Sequence, residues 1–182
     1  MRPISTLSFD LGSITGWARS NCVLQPQLKI SVVDHGTIYL DPLTNDRMSK
    51  DYNEIYNRRR VKLLIFEEMI GKLIGSQGIP DAILVEDVFC NPSRISAYRA
   101  LILYLETLER ITNVNYKKRL ISIPTKVCKM AIAETGSADK LGVQSAVLNN
   151  TSITVKKPEK LSEHSSDAIA VAYAFAKYHL NL

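Results

Sequence analysis

Two short apolar runs in this chain end on or near a carboxylate, and a third acid stands in its alanine-rich C-terminal stretch. Asp10 lies inside an apolar run over residues 4–11 that Gly12 closes, and Glu86 ends the run Ala82-Ile83-Leu84-Val85. A carboxylate inside a strand core is costly to desolvate unless a cation or hydrogen-bond donors surround it, so Asp10 is either paired or a ligand. The plainer alternative is an Asp whose side chain only caps the following turn. Asp167 follows His164 by three residues, a spacing that puts both on one face of a helix, where both can point at one site. Either can equally be a solvated residue of a first helical turn, where acids are favoured. Carboxylates that meet without a cation repel, whereas Mg²⁺ or Mn²⁺ takes hard oxygen ligands and needs few protein groups. A cluster of these acids therefore argues for a divalent metal.

The elements needed to bring them together can be read in chain order. Residues 4–11 predict a buried central strand, and after a short turn Gly16-Trp17-Ala18 starts a neighbour. A polar turn around residues 21–27 leads to residues 29–40, where Ile30, Val32 and Ile38 alternate with polar positions. That makes three antiparallel strands in succession. Residues 41–46 read as a loop, after which Leu63, Phe66, Ile70, Leu73 and Ile74 keep helical spacing up to Gly75. Residues 82–86 predict a buried parallel strand. Ala97, Leu101, Leu105 and Leu108 form one stripe of a helix over 94–111, and 120–123 is a short fifth strand before Pro124. Pro124 suits the first turn of a helix running to residue 134, Gly136 marks the turn after it, and Ser137 is placed to cap a helix reaching about Leu148. Residues 149–162 are polar and lysine-bearing, and 164–178 form an alanine-rich helix. The order is α/β: a five-stranded mixed sheet, three antiparallel strands and then parallel ones, flanked by helices. Adjacent parallel strands set their C-terminal ends side by side, which would put Glu86 next to Asp10 with the last helix closing the site from above.

A length of 182 residues with 46% hydrophobic content supports one domain, residues 1–182, with a sizeable core. The net charge of +5 points to an anionic partner, and nucleic acid fits better than membrane because no apolar run reaches the roughly 18 residues of a spanning helix. Cys22, Cys90 and Cys128 are odd in number and form no CxxC pair, which disfavours a disulfide framework or zinc site and favours a reducing, cytoplasmic setting.

Four stretches then occur in a telling order. They are Phe9-Asp10-Leu11-Gly12-Ser13 with Thr15-Gly16; Val85-Glu86-Asp87-Val88-Phe89; Thr135-Gly136-Ser137-Ala138-Asp139-Lys140 with Val143-Gln144; and Ser165-Ser166-Asp167-Ala168-Ile169-Ala170-Val171-Ala172. Together they resemble the RuvC family of Holliday junction resolvases, which have the ribonuclease H-like fold, and the resemblance covers most of the chain. It implies that Asp10 is a metal ligand and that Glu86 lies in the second catalytic stretch. It also places Lys129 and Lys140 on basic positions that contact DNA near the scissile site, and Phe89 on an aromatic position that stacks at the junction centre. His164 stands where many members have Asp and some have His. The partners implied are branched DNA, above all four-way junctions, and a second copy of the chain in a homodimer. If the source is viral, the setting becomes the host cytoplasm. Resemblance and charge together imply hydrolysis by two Mg²⁺ or Mn²⁺ ions about 4 Å apart. Asp10 would bridge them, Glu86 and Asp167 would ligate one each, and His164 would be a ligand or a group polarising the attacking water.

Several residues carry plainer readings beside these. A lysine near a helix start is commonly just solvated, and Phe89 as a bare feature is more often core. Arg58-Arg59-Arg60 with Lys62, Lys117-Lys118-Arg119, and Lys156-Lys157 with Lys160 are either arms of a groove for branched DNA or solvated surface. Tyr98, Tyr104, Tyr116 and Tyr173 read as packing residues. Three other functions compete: a broader branched-DNA or flap endonuclease of the same fold, a catalytically silent DNA-binding scaffold, and an actin-like or sugar-kinase-type nucleotide-binding domain. The last has a phosphate loop that residues 9–16 also resemble, yet such proteins normally need two such domains and about twice this length.

Overall fold

The computed structural model describes residues 2–24, 26–51, 55–76, 78–88, 93 and 95–180. Its strands are β1 (Ile4–Asp10), β2 (Ile14–Val23), β3 (Lys29–Tyr39), β4 (Ala82–Glu86), β5 (Leu120–Ile123) and β6 (Ile153–Val155). Its helices are α1 (Leu40–Asp51), α2 (Ile55–Ser76), α3 (Ile95–Tyr116), α4 (Thr125–Ala133), α5 (Lys140–Asn149) and α6 (Glu163–His179). The sheet order is β5-β4-β1-β2-β3-β6. β1, β2 and β3 pair antiparallel, while β4 joins β1, β5 joins β4 and β6 joins β3 in parallel.

The period-two alternation of β1 divides the core. Leu7 and Phe9 face one side, where Ile83, Val85, Phe66, Ile70, Leu108 and Ile111 pack beneath α2 and α3. The opposite face packs Ala18, Val32, Leu84 and Ile123 beneath α4, α5 and α6. α6 is the most deeply set helix, with every residue from Ala168 to Ala176 buried. Its alternating alanines leave little bulk between helix axis and sheet.

The sheet has six strands where the sequence predicted five. β6 is only three residues long, too short to show an alternation, and it forms by pairing Ile153, Thr154 and Val155 with Ile30, Ser31 and Val32. β2 also runs further than expected, with Asn21 and Cys22 still paired to Ser31 and Ile30. The loop expected over residues 41–46 is instead the start of α1. Leu40 is fully buried, the Thr44 hydroxyl donates to the Leu40 carbonyl at 2.6 Å, and Pro42 lies in the first turn, where its missing N–H is not needed. Asp41 there takes Lys62 at 2.5 Å and Arg58 at 3.4 Å from α2, so a tertiary ion cluster supports a helix with little intrinsic tendency to form. Ala97 is exposed, and α3 buries Tyr104, Leu108, Ile111 and Thr112 instead. α5 is capped by Asp139, which accepts from the Gly142 N–H at 2.7 Å, not by Ser137. Cys22 and Cys128 are buried and free; Cys90 lies outside the described residues. No helix among the described residues is long and apolar enough to cross a membrane.

Candidate active site

Phe9 and Val85 are register partners on parallel strands, so the residues that follow them, Asp10 and Glu86, stand side by side at the strand ends. Because Phe9 and Val85 face α2 and α3, both acids face α6. Two devices bring α6 over them. Ser162 caps the helix through a reciprocal box with Ser165, and its hydroxyl meets that of Thr37 on β3 at 2.7 Å. On β2, Gly16 pairs with Asp10 on one side and with Thr37 on the other. A Cβ added at Gly16 would overlap the backbone carbonyl of His164 and lie 2.8 Å from its Cβ. Glycine at this position lets the first turn of α6 rest directly on the strand, which hangs His164 and Asp167 over Asp10.

His164 Nδ1 lies 3.0 Å from Asp10 Oδ2 and 3.1 Å from the Lys140 ammonium. Lys140 Nζ is also 3.6 Å from Asp167 Oδ2. The two contacts of Nδ1 ask for opposite states, since a carboxylate needs a proton on that nitrogen and an ammonium needs its lone pair. The side chains of Asp10 and Asp167 are 15% and 12% exposed, that of Lys140 47%, so the acids are sheltered and the lysine reaches them from the rim. Burial, and then the charges of Asp10 and Asp167, push the Glu86 carboxyl up to about 8, while a hydrogen bond from Thr125 works the other way. Asp167 is pushed up to about 6 by burial and by Asp10, against the pull of Lys140, His164 and Lys129. Burial and the same acids also push the Cys128 thiol up, leaving it an inert packing group beneath the site.

Three carboxylates and an imidazole are the donors a hard divalent ion takes, and the weakened acidities of Glu86 and Asp167 record, beside their burial, a repulsion that such an ion would remove. Among the described residues no three such side chains surround one point. The acids here bond to one another, to His164 and to Lys140. The donor set fits a metal in kind, with Asp10, Glu86, Asp167 and His164 as the residues that would hold it.

All four predicted catalytic residues are neighbours at this strand edge, linked in pairs, and Lys140 joins them. Lys129, on α4, donates its ammonium to the Ala138 carbonyl at 2.6 Å, fastening the turn into α5, and stands close enough to act on the Asp167 charge. Phe89 lies outside the described residues. Sequence reasoning missed two contributors. Thr125, directly after Pro124, donates to the Asp87 carbonyl at 3.3 Å and favours the charged form of the neighbouring Glu86, and Gly16 admits α6; Gly16 was legible as the start of a strand and as part of the first motif, but not as the seat of α6, because the partner that demands it is 148 positions away.

No family model and no curated protein sequence matches the chain. Among solved structures, that of Thermus thermophilus RuvC superposes with a TM-score of 0.71 at 16% identity, over 98% of this chain and 96% of that one. The fold is that of RuvC. A second RuvC structure, from T. thermophilus in complex with a Holliday junction substrate, gives 0.66 at 13% identity over 98% and 96% of the two chains. The yeast mitochondrial Holliday junction resolvase Ydc2 gives 0.64 at 13% identity over 96% of this chain and 78% of its own. At these identities the likeness to RuvC lies in the course of the backbone, so that what the site does must come from its own side chains.

Proposed function

We propose that the protein is a metal-dependent, structure-selective endonuclease that resolves four-way DNA junctions by paired phosphodiester hydrolysis, working as a homodimer. The observation that carries this reading is the meeting of Asp10, Glu86, Asp167 and His164 at one sheet edge of a RuvC-like fold, with Lys140 at the rim. The RuvC neighbour bound to a Holliday junction substrate supports branched DNA as the ligand class.

When bound, Mg²⁺ or Mn²⁺ would polarise the phosphodiester and supply a hydroxide-like water at neutral pH. The chain's own groups account for the rest. Asp10 lies between Glu86 and His164 and is the carboxylate placed to be shared. Thr125 works against the rise that burial and the other acids impose on Glu86, and the Ser162 cap and Gly16 fix His164 and Asp167 to the strand. An unprotonated His164 accepts a proton or offers a lone pair at the position facing Asp10. Lys140, freed from the acids, is placed to meet a phosphate oxygen, since its stem stands half in solvent.

The test is cleavage of labelled four-way junction, flap, duplex and RNA–DNA hybrid in Mg²⁺ or Mn²⁺, with the nicks mapped. Symmetric paired nicks confined to the junction are expected. Equal cutting of flaps would make it a broader branched-DNA endonuclease, and cutting of the hybrid alone would overturn the reading.

A further inference from the structure

Away from the carboxylates, β3 and the residues that follow β6 enclose a pocket of about 510 Å³ lined by Val33, Asp34, His35, Lys156, Lys157 and Lys160. Its wall is held by several independent bonds. The Lys156 N–H donates to the Val32 carbonyl at 3.1 Å, prolonging the β3–β6 ladder. Lys157 adopts a left-handed conformation, φ 59° and ψ 57°, which is unfavourable for a non-glycine residue and persists only where its surroundings impose it. Here His35 Nε2 lies 3.1 Å from the Lys156 carbonyl and 3.3 Å from that of Lys157; both are acceptors, so Nε2 carries the proton. The Lys160 N–H closes a short 3₁₀ turn over Pro158–Lys160 onto the Lys157 carbonyl at 3.0 Å. Beyond it Leu161 is buried, and its carbonyl accepts from the Gln144 amide at 2.8 Å.

The charge of this pocket is unbalanced. Asp34 is its one acidic lining residue, and that carboxylate already accepts from the His35 N–H at 3.1 Å and acts on Arg19. Among the described residues no ion pair involves Lys156, Lys157 or Lys160, and all three are exposed. Glu159 of the same turn does not line the pocket. A fixed loop with three unneutralised ammonium groups suits an anion with several oxygens.

Its place relative to the acids is set by the sheet. Asp10, Gly16 and Thr37 are successive register partners, which puts Thr37 about 10 Å from Asp10 at about 4.8 Å per strand, and His35 is two residues, about 7 Å, further along β3. His35 pairs with Ala18, which packs beneath α6, so the His35 side chain lies on the same sheet face as Asp10. The backbone separation of His35 and Asp10 is thus about 12 Å, a span that one strand covers within a few nucleotides. The loop also runs straight into Ser162, the cap of the helix that carries His164 and Asp167.

We infer that this pocket binds a backbone phosphate of the nucleic acid a few nucleotides from the phosphodiester held at the carboxylates. It is a second anchor that fixes how the strand enters the site, and it rests on the nuclease reading above. The experiment measures the dissociation constant for a four-way junction in EDTA across 50–250 mM salt. It compares the parent with the triple variants Lys156→Gln/Lys157→Gln/Lys160→Gln and Lys156→Arg/Lys157→Arg/Lys160→Arg. The Gln triple should bind about tenfold more weakly at low salt, with a log–log salt slope shallower by about one, and the Arg triple should keep the parent slope. If the Gln triple does not fold, Lys160→Gln alone, on the exposed turn, should give a smaller shift of the same sign. A parent that binds the junction with the Gln triple unchanged overturns the pocket alone. A parent that binds no junction overturns the nuclease reading as well. Amide shifts confined to His35 and residues 156–160 on titration with inorganic phosphate at constant ionic strength, with junction binding unaltered in the triple, would assign the pocket to free phosphate and also overturn the inference.

Discussion

Replacing Glu86 with Gln should stabilise the metal-free protein, and the effect should grow with pH. Glu86 is held up at about 8, against an ordinary value of 4.5, by burial first and then by Asp10 and Asp167. A carboxyl whose acidity is weakened by folding binds its proton more tightly in the folded chain, so stability is full below about 4.5 and is lost as pH rises towards 8. At about 1.4 kcal/mol per pH unit, the ceiling on that loss at pH 8 is about 4 kcal/mol. Side-chain rearrangement and water entry reduce it to about 1–3 kcal/mol. A Gln side chain has the same shape, can donate to Asp10 and can accept from Thr125 as the protonated acid does, yet carries no charge. Thermal unfolding in EDTA at pH 5, 6.5 and 8 should therefore show the variant melting roughly 3–9 °C above the parent at pH 8, with the gap closing by pH 5. Mg²⁺ should raise the parent's melting point at pH 8 and leave the variant's nearly unchanged. A variant less stable than the parent at pH 8, or a gap indifferent to pH, would refute the picture of crowded carboxylates awaiting a cation.

Gly16→Ala should push the start of α6 back by about 1 Å, because its Cβ would overlap the His164 carbonyl, and cleavage should fall about 100-fold while junction affinity stays near the parent's. Parent-like turnover would show that the strand–helix approach does not position His164. His164→Ala should remove most cleavage, whereas His164→Asp should retain a substantial part and move the acid limb of the pH–rate profile downward, since carboxylates ordinarily titrate below imidazole; an unshifted limb would make His164 an ordinary first-turn residue. Phe89→Ala should lower junction cleavage more than affinity if the ring holds an unstacked base step, and an equal loss of melting temperature would mark it as core.

What the sequence disclosed and what it hid divide along physical lines. β1 and β4 were legible because each is a short apolar run ending on an acid, and parallel neighbours must bring such ends together. His164 and Asp167 were legible through their spacing on one helix. β6 was hidden because a three-residue strand has no periodicity of its own and exists through β3. α1 was hidden because Asp41, Pro42 and Thr44 carry turn chemistry locally, and it is burial of Leu40 with the Lys62 and Arg58 contacts that decides for helix. The closeness of α6 to Gly16, and the hydroxyl of Thr37 against Ser162, are long-range contacts with no local trace in the sequence. The Lys156–Lys160 loop could be read either as an arm of a DNA groove or as solvated surface, because its fixed shape depends on His35, 121 positions away.

The most direct measurement is strand cleavage of a four-way junction in Mg²⁺ by the parent and by Asp10→Asn, with junction affinity determined in parallel for both. Asp10 touches His164 and Glu86 alike, so its loss should abolish hydrolysis while the basic groups that bind DNA remain. The expected result is paired nicks at symmetric positions from the parent, none from Asp10→Asn, and matching affinities. Absence of cleavage by the parent in either Mg²⁺ or Mn²⁺, or nicking by Asp10→Asn at the parent's rate, would contradict the assignment.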